Sequence, residues 1–398
     1  MPQTDLPLRT KPAFRLALAL APLAAVAMQA ADDGILSLRT SGYWQAAPNV
    51  SFVPRSDTQE RRAWTEYRAQ ARINLRLDAG ERWALHGQTR LRYFGGDFVR
   101  SMPGYAENVA RDDGLADLSW TVFDNRSGLL HVLPDRLNAE WDGGAWNARA
   151  GRQRINWGVN LITNPNDIFN HYSFFDFDYP ERPGSDSLRI QRHLGFGSRL
   201  EAAVRPARER DETVAALLYA FHAKGYDAQL IAGRYRDLWT AGLGWAGNVG
   251  DAGLKGEIMA YAPGNRSFTE DEARTVAAVS LDTMLPNRVF VLAELLYNES
   301  GGTQEAGAGF ERVAPDNPSF ARWQATLRAS WPPHPLLDTD LALMIFPEER
   351  GGFLAPSATW SVATDTDAML LAHIFVGRKG TPLADAGWRA ILSLKRSF

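Results

Sequence analysis

A chain of 398 residues with 43 basic and 46 acidic side chains has a formal net charge of −3, so it lacks the positive excess on which nucleic-acid binding depends. Cysteine is absent, which excludes a disulfide framework and a lipid-modified N-terminal cysteine. The mean hydropathy of −0.29 suggests a soluble protein, but 13 Trp, 34 Gly and alternating segments along most of the chain suit a sheet with lipid on one side.

At the N-terminus, Arg9, Lys11 and Arg15 precede the apolar stretch LALALAPLAAVAM (16–28), and small residues follow to Ala31. This is the layout of a secretory signal peptide; an anchoring helix fits less well, because the apolar core is short and interrupted by Pro22. Residues 1–30 are therefore expected to be a signal peptide and residues 31–398 an outer-membrane β-barrel. Beyond the leader no run of about 18 apolar residues occurs, so spanning helices are not expected.

After a first strand-like segment at 34–44, a period of two is clear in WTEYRAQARINLRLD (64–78). Thr65, Tyr67, Ala69, Ala71, Ile73, Leu75 and Leu77 share one face, and Glu66, Arg68, Gln70, Arg72, Asn74 and Arg76 share the other. Such a strand places one face in oil and the other in water. The turn region DAGE (78–81) leads to a second strand, on which Trp83, Leu85, Leu91 and Tyr93 oppose Arg82, His86, Gln88, Arg90 and Arg92, so the two are predicted to form a hairpin. GLADLSWTVFDN (114–125) is strand-like too, but counting it would make the total odd and reverse the loop lengths downstream; residues 95–133 are therefore read as a long external or inward-folded excursion.

Further strands are expected near 134–142, 144–155, 186–192, 195–205, 213–223, 225–235, 237–248, 252–262, 273–284, 287–298, 319–331, 336–346, 353–364, 367–377 and 386–398. Short links such as DGG (142–144) and TD (364–365) alternate with longer ones such as 299–318. The predicted fold is all-β: a single transmembrane antiparallel barrel of about 18 strands, with 16 as the alternative and both termini in the periplasm. The last strand alternates Trp388, Ala390, Leu392, Leu394, Arg396 and Phe398 against Arg389, Ile391, Ser393, Lys395 and Ser397. A barrel in hydrocarbon keeps no open edge, so this strand has to pair with the first. Phe398 at its end resembles the signature recognised by the barrel-assembly machinery, although Arg396 stands where that pattern has an apolar residue.

Between two strands lies AGRQRINWGVNLITNPNDIFN (150–170), whose Asn, Pro and Gly content marks a loop. Ile155, Trp157, Leu161, Ile162, Ile168 and Phe169 are too apolar for a solvated one. The segment reads as a loop folded into the lumen, with Trp157, Asn164, Asp167 and Asn170 as candidate constriction residues; packing on the rim is the alternative. GRQRINWG with NPND, then 188–212 and 225–257, resembles a group of poorly characterised porin-like outer-membrane proteins of Gram-negative bacteria. The resemblance covers roughly residues 135–260 together with Phe398. It implies a β-barrel in the outer membrane, in some cases accompanying an export system, and supplies neither solute nor binding residues.

Charge on a lipid face costs about 2–4 kcal/mol for Arg or Lys at the midplane, so alternating basic residues are assigned to the lumen. Arg39, Arg68, Arg72, Arg76, Arg82, Arg90, Arg92, Arg322, Arg328, Arg389 and Lys395 then make one wall basic. Glu66, Glu257, Asp282, Glu294, Asp338 and Asp340 face inward as well. This composition suits a porin-like channel for small, anionic or amphipathic solutes. A barrel plugged by its own loops, acting structurally or as partner of an export system, is the competing reading, in which the arginines pair with acids such as Glu66, Asp340 or Asp167. Enzyme activity is not expected, because none of the seven histidines sits in a nucleophile motif and GFGSR (195–199) is not G-x-S-x-G. NPND (164–167) and DNPSF (316–320) lack the dense carboxylates of a calcium loop, so no metal or other cofactor is expected. With the first strand near residue 34 there is no room for an N-terminal plug domain. The expected partners are outer-membrane lipid, the assembly machinery and a small solute; oligomeric state stays open.

Overall fold

The structure is a computed structural model that describes residues 36–54, 61–126, 128–170, 184–264, 273–302, 314–378 and 381–398. The expected signal peptide lies outside these residues. The strands are β1 (Leu36–Pro54), β2 (Arg61–Ala79), β3 (Trp83–Gly96), β4 (Trp120–Asn125), β5 (Gly128–Asp142), β6 (Trp146–Gln153), β7 (Ser185–Gly195), β8 (Ser198–Arg205), β9 (Val214–Ala223) and β10 (Tyr226–Tyr235). They continue as β11 (Leu238–Val249), β12 (Ala252–Pro263), β13 (Arg274–Met284), β14 (Phe290–Asn298), β15 (Trp323–His334), β16 (Leu337–Phe346), β17 (Gly351–Ala363), β18 (Thr366–Val376) and β19 (Trp388–Ser397).

Neighbours in sequence pair antiparallel around a closed ring of 18 strands. The one exception is β4: β3 pairs directly with β5, and β4 lies on the other edge of β5 from Gly128 to Val132, outside the ring. Residues 114–125 thus do belong to an excursion between ring strands, and the even count holds, but the excursion is shorter than the expected 95–133: β3 runs to Gly96 and β5 starts at Gly128, because Leu129 to Leu133 already pair with β3. The predicted strand positions agree closely with the observed ones. The largest difference is β1, which runs to Pro54 because its full length pairs with β2.

Closure is made by β1 and β19, from Tyr43 opposite Ser397 to Phe52 opposite Trp388. The pairing continues one residue further: Gly42 N–H donates to Phe398 O at 2.9 Å, and Phe398 N–H donates to Gly42 O at 3.0 Å. A Cβ on Gly42 would stand 2.7 Å from Cζ of the Phe398 ring, so glycine there lets the ring lie against β1. Among the described residues no helix is long and apolar enough to cross a membrane. The spanning elements are strands, whose backbone groups the ring satisfies without an edge.

The alternation fixes the two faces. Ile73, Leu91, Leu217, Leu243, Leu370 and Leu392 stand exposed on the outside, a continuous apolar surface that is stable only against lipid. Inside are Glu66, Arg72, Arg90, Glu201, Glu257, Glu294 and His373, all buried. The lumen is partly filled by chain. The segment after β6 packs Ile155, Trp157, Ile168 and Phe169 against inward residues of β8 to β14, including Leu218, Ile231, Met259 and Val276. A second apolar cluster joins Ile162 of that segment to Met344, Phe346, Phe353 and Leu371 on β16 to β18 and to Leu383.

Candidate functional site: a lumen with two unlike walls

The wall formed by β8 to β14 is built to hold the inserted segment 154–170. Carboxylates reach inward from three of its strands. Glu257 on β12 is fully buried and accepts backbone N–H bonds from Val159 (2.5 Å), Asn160 (2.7 Å) and Asn166 (2.8 Å). Glu294 on β14 accepts the Thr163 N–H with both oxygens, at 3.0 and 3.2 Å. Glu201 on β8 accepts the Trp157 indole N–H at 2.7 Å. Between them, Gln229 donates to Trp157 O at 2.6 Å and Ser280 to Asn160 Oδ1 at 3.0 Å. A loop inside a barrel has backbone donors that no ladder serves, and the two oxygens of a glutamate side chain can accept several of them at one point.

Close approach is permitted by Gly242 and Gly244 on β11. A Cβ at Gly242 would lie 3.1 Å from Asn166 Oδ1, and one at Gly244 would lie 2.9 Å from Asn166 Nδ2. Asn166 uses that nitrogen to donate to Leu243 O at 3.2 Å. The loop is therefore folded into the lumen, not packed on the rim.

Of the four candidate constriction residues, three are buried. Trp157 is buried edge-on against Phe169, with ring centroids 4.8 Å apart. Asp167 and Asn170 are buried; the Asn170 amide donates to Asp167 Oδ1 at 3.3 Å and also to Ile155 O. Asn164 is half-buried, and Leu161 beside it in the loop is exposed.

A second insertion follows β3. The short helix Tyr105–Ala110 lays Tyr105 on Glu66, its hydroxyl donating at 2.5 Å, and its ring edge-on to Phe94. Burial beside that carboxylate raises the phenol pKa well above its ordinary value. Arg152, at the end of β6, is held by Asp186 of β7 at 2.8 Å and ties the same insertion down through Asp112 at 2.8 Å and Ala116 O at 2.8 Å.

Nine of the eleven sequence-predicted basic residues fall on the other wall, in different surroundings. Arg72 and Arg90 are buried and share Asp135 of β5, at 2.8 and 3.7 Å. Arg68 pairs with Glu66 at 2.9 Å, and Arg92 donates to Val109 O and to His131 Nδ1, each at 3.0 Å. Arg76 and Arg39 share Asp78 toward the short-turn end, while Arg328 pairs with Asp340 at 2.7 Å. Arg389 donates to Ser51 Oγ at 2.9 Å, and the Lys395 ammonium lies 4.3 Å from the centre of the Tyr43 ring. Arg82 sits in the exposed turn before β3 and Arg322 just ahead of β15, both outside the strands. Phe398 is 67% exposed on the lipid side.

Sequence reading overlooked Asp135 as the partner of the central arginines, and with it a further set of lumenal cations. Arg149 on β6, Arg189 on β7 and Arg199 on β8 face inward, as the outward exposure of Leu188, Ile190 and Leu200 shows. Their signal was the alternation in NARAGRQ and LRIQR.

No family model matches the sequence, and no curated protein matches it. Solved structures do match. OccK11 (OpdR) of Pseudomonas aeruginosa superposes with a TM-score of 0.56 at 10% identity, over 91% of this chain and 96% of that one. OccAB4 of Acinetobacter baumannii gives 0.53 at 7% identity, over 91% and 98%. A triple mutant of the Rhodopseudomonas blastica porin gives 0.47 at 10% identity, over 91% and 100%. The likeness to the two Occ proteins is one of fold, and it agrees with the closed antiparallel ring: the chain folds as a porin-like β-barrel of outer-membrane type.

Proposed function

We propose that the protein is an outer-membrane channel for small solutes, with a path along the arginine-bearing wall and an inserted loop that narrows the lumen from the opposite side. One observation carries this reading: the two walls are finished differently. The acidic wall is covered by segment 154–170, whereas the basic wall keeps partly exposed charged side chains, among them Arg76 at 44% and Arg328 at 42%. Rows of Arg and Lys in a pore favour anions, so the preferred solutes are small anions. The proposal assigns no catalysis.

A second reading rests on the Arg152 and Tyr105 contacts, which tie a second insertion to the lumen wall and favour a barrel plugged at rest. Conductance of the purified protein in a planar bilayer under a salt gradient separates the two. Stepwise conductance with an anion-selective reversal potential is expected; a cation-selective potential would overturn the anion preference, and a complete lack of conductance would favour the plug.

We infer also that Phe398 serves assembly through the barrel-insertion machinery. Its ring is presented to lipid on the closing strand, so Phe398→Asp is expected to lower the yield of folded, heat-modifiable barrel. An unchanged yield would remove this role.

A further inference from the structure

We propose that Arg149, Arg189 and Arg199 form a binding site for a small oxyanion, a carboxylate or a phosphate, on the lumen face of β6, β7 and β8. Arg149 and Arg189 are direct cross-strand partners. Like charges placed so destabilise a sheet unless something between them is negative.

The surroundings hold the two guanidinium groups in place without neutralising both. Glu140 of β5 accepts Arg149 Nη2 at 2.6 Å, His86 Nε2 at 3.1 Å and the Asn147 amide at 2.9 Å. Its oxygens are thus occupied before Arg189 is reached. Asn147 completes the relay: while its amide N–H donates to Glu140, its Oδ1 accepts Arg189 Nη2 at 2.8 Å. Arg189 is thereby oriented by a neutral side chain and has no carboxylate of the described residues within ion-pair distance.

Arg199, farther along the neighbouring strand, has Glu201 Oε2 at 3.7 Å, too far for a hydrogen bond, while the other oxygen of that carboxylate accepts the Trp157 indole. In all three arginines the Nε–H is buried without a hydrogen-bond partner. A buried charged donor without a hydrogen-bond acceptor is costly, and a bound oxyanion between the cross-strand pair can satisfy it. The planar fork of guanidinium matches two oxygens of a carboxylate or phosphate, which sets the ligand class. Only in its role as a station for passing solutes does the site rest on the proposed channel.

The test is calorimetric titration of the purified full-length barrel in detergent with inorganic phosphate and, separately, with acetate. Saturable binding of one or both is expected. Arg189→Gln should weaken it by about tenfold or more, the worth of a charge-assisted pair. Arg189→Lys, which keeps the charge and loses the fork, should fall between. Arg234→Gln, on the outer face of β10, should bind as the unaltered protein does. Heat-modifiable mobility confirms that each variant is folded. An absence of saturable heat with both anions, or equal binding by Arg189→Gln, would overturn the site. Binding that persists in a barrel without conductance would sink the channel and leave the site standing.

Discussion

The lumen of this barrel uses its acids and its bases for different tasks. On β8 to β14 the inward carboxylates of Glu201, Glu257 and Glu294 accept donors of the inserted chain. On β2 and β3 the inward arginines mostly meet carboxylates of the wall itself, as Arg72 meets Asp135, while Arg92 reaches Val109 O of the second insertion. A carboxylate is acceptor-only and can gather several backbone amides at one point, whereas a guanidinium has no acceptor to offer and so seeks oxygens. A charge in a barrel lumen is therefore read by what its donors or acceptors have left to do, not by its sign. Where every oxygen is occupied, as at Glu257, the residue holds structure; where N–H groups remain, as at Arg189, it can hold a ligand.

The largest effect is expected on the acidic wall. Glu257→Ala strips the acceptor from three amides of the loop. Unsatisfied buried groups cost about 1–3 kcal/mol each, so the loss should be on the order of 3 kcal/mol or more. It would be read as a lower urea midpoint, and release of the loop should also raise conductance. A midpoint equal to that of the unaltered protein would break the contrast between the walls.

Next comes the buried pair on the basic wall. Arg72→Gln leaves Asp135 in a desolvated place with Arg90 still near it at 3.7 Å. Breaking a buried pair costs about 3–5 kcal/mol, and the residual contact should bring the cost toward 2 kcal/mol. Arg72→Gln with Asp135→Asn should recover part of it. If the double variant is no more stable than the single one, Arg72 is not held by that pair.

Much of this arrangement was legible in the sequence. A lipid face and a water face force a period of two, so Ile73, Leu75 and Leu77 against Arg72, Asn74 and Arg76 announced both the strand and its orientation. The loop announced itself through apolar residues, Trp157 and Phe169 above all, in a segment without periodicity. Its seat could not be read, because Glu257 meets Val159 and Asn166 across separations of 98 and 91 residues. No local pattern encodes such a contact; it depends on ring closure and on two glycines of β11. The partner of Arg72 was hidden by an irregularity. The register of β3 against β5 shifts between Gln88 and Thr89, beside Asp135, so simple alternation does not foretell where that carboxylate points.

On β2 a charge that holds structure and one that faces the path stand on the same strand. Arg72 and Arg76 lie four residues apart on β2 with the same orientation, yet their side chains are 3% and 44% exposed. Arg76 pairs with Asp78 at 2.8 Å, and an exposed pair of this kind contributes about 0–1 kcal/mol. Arg76→Gln should therefore leave the urea midpoint unchanged and move the reversal potential slightly toward cations. The shift should shrink between 0.1 and 1 M salt, as the screening length falls from about 10 to about 3 Å. Arg72→Gln should show the opposite profile, with reduced stability and a selectivity change that follows the fraction of intact barrel. A reversal potential untouched by Arg76→Gln at low salt would place the solute path away from β2 and toward the arginines of β6 to β8.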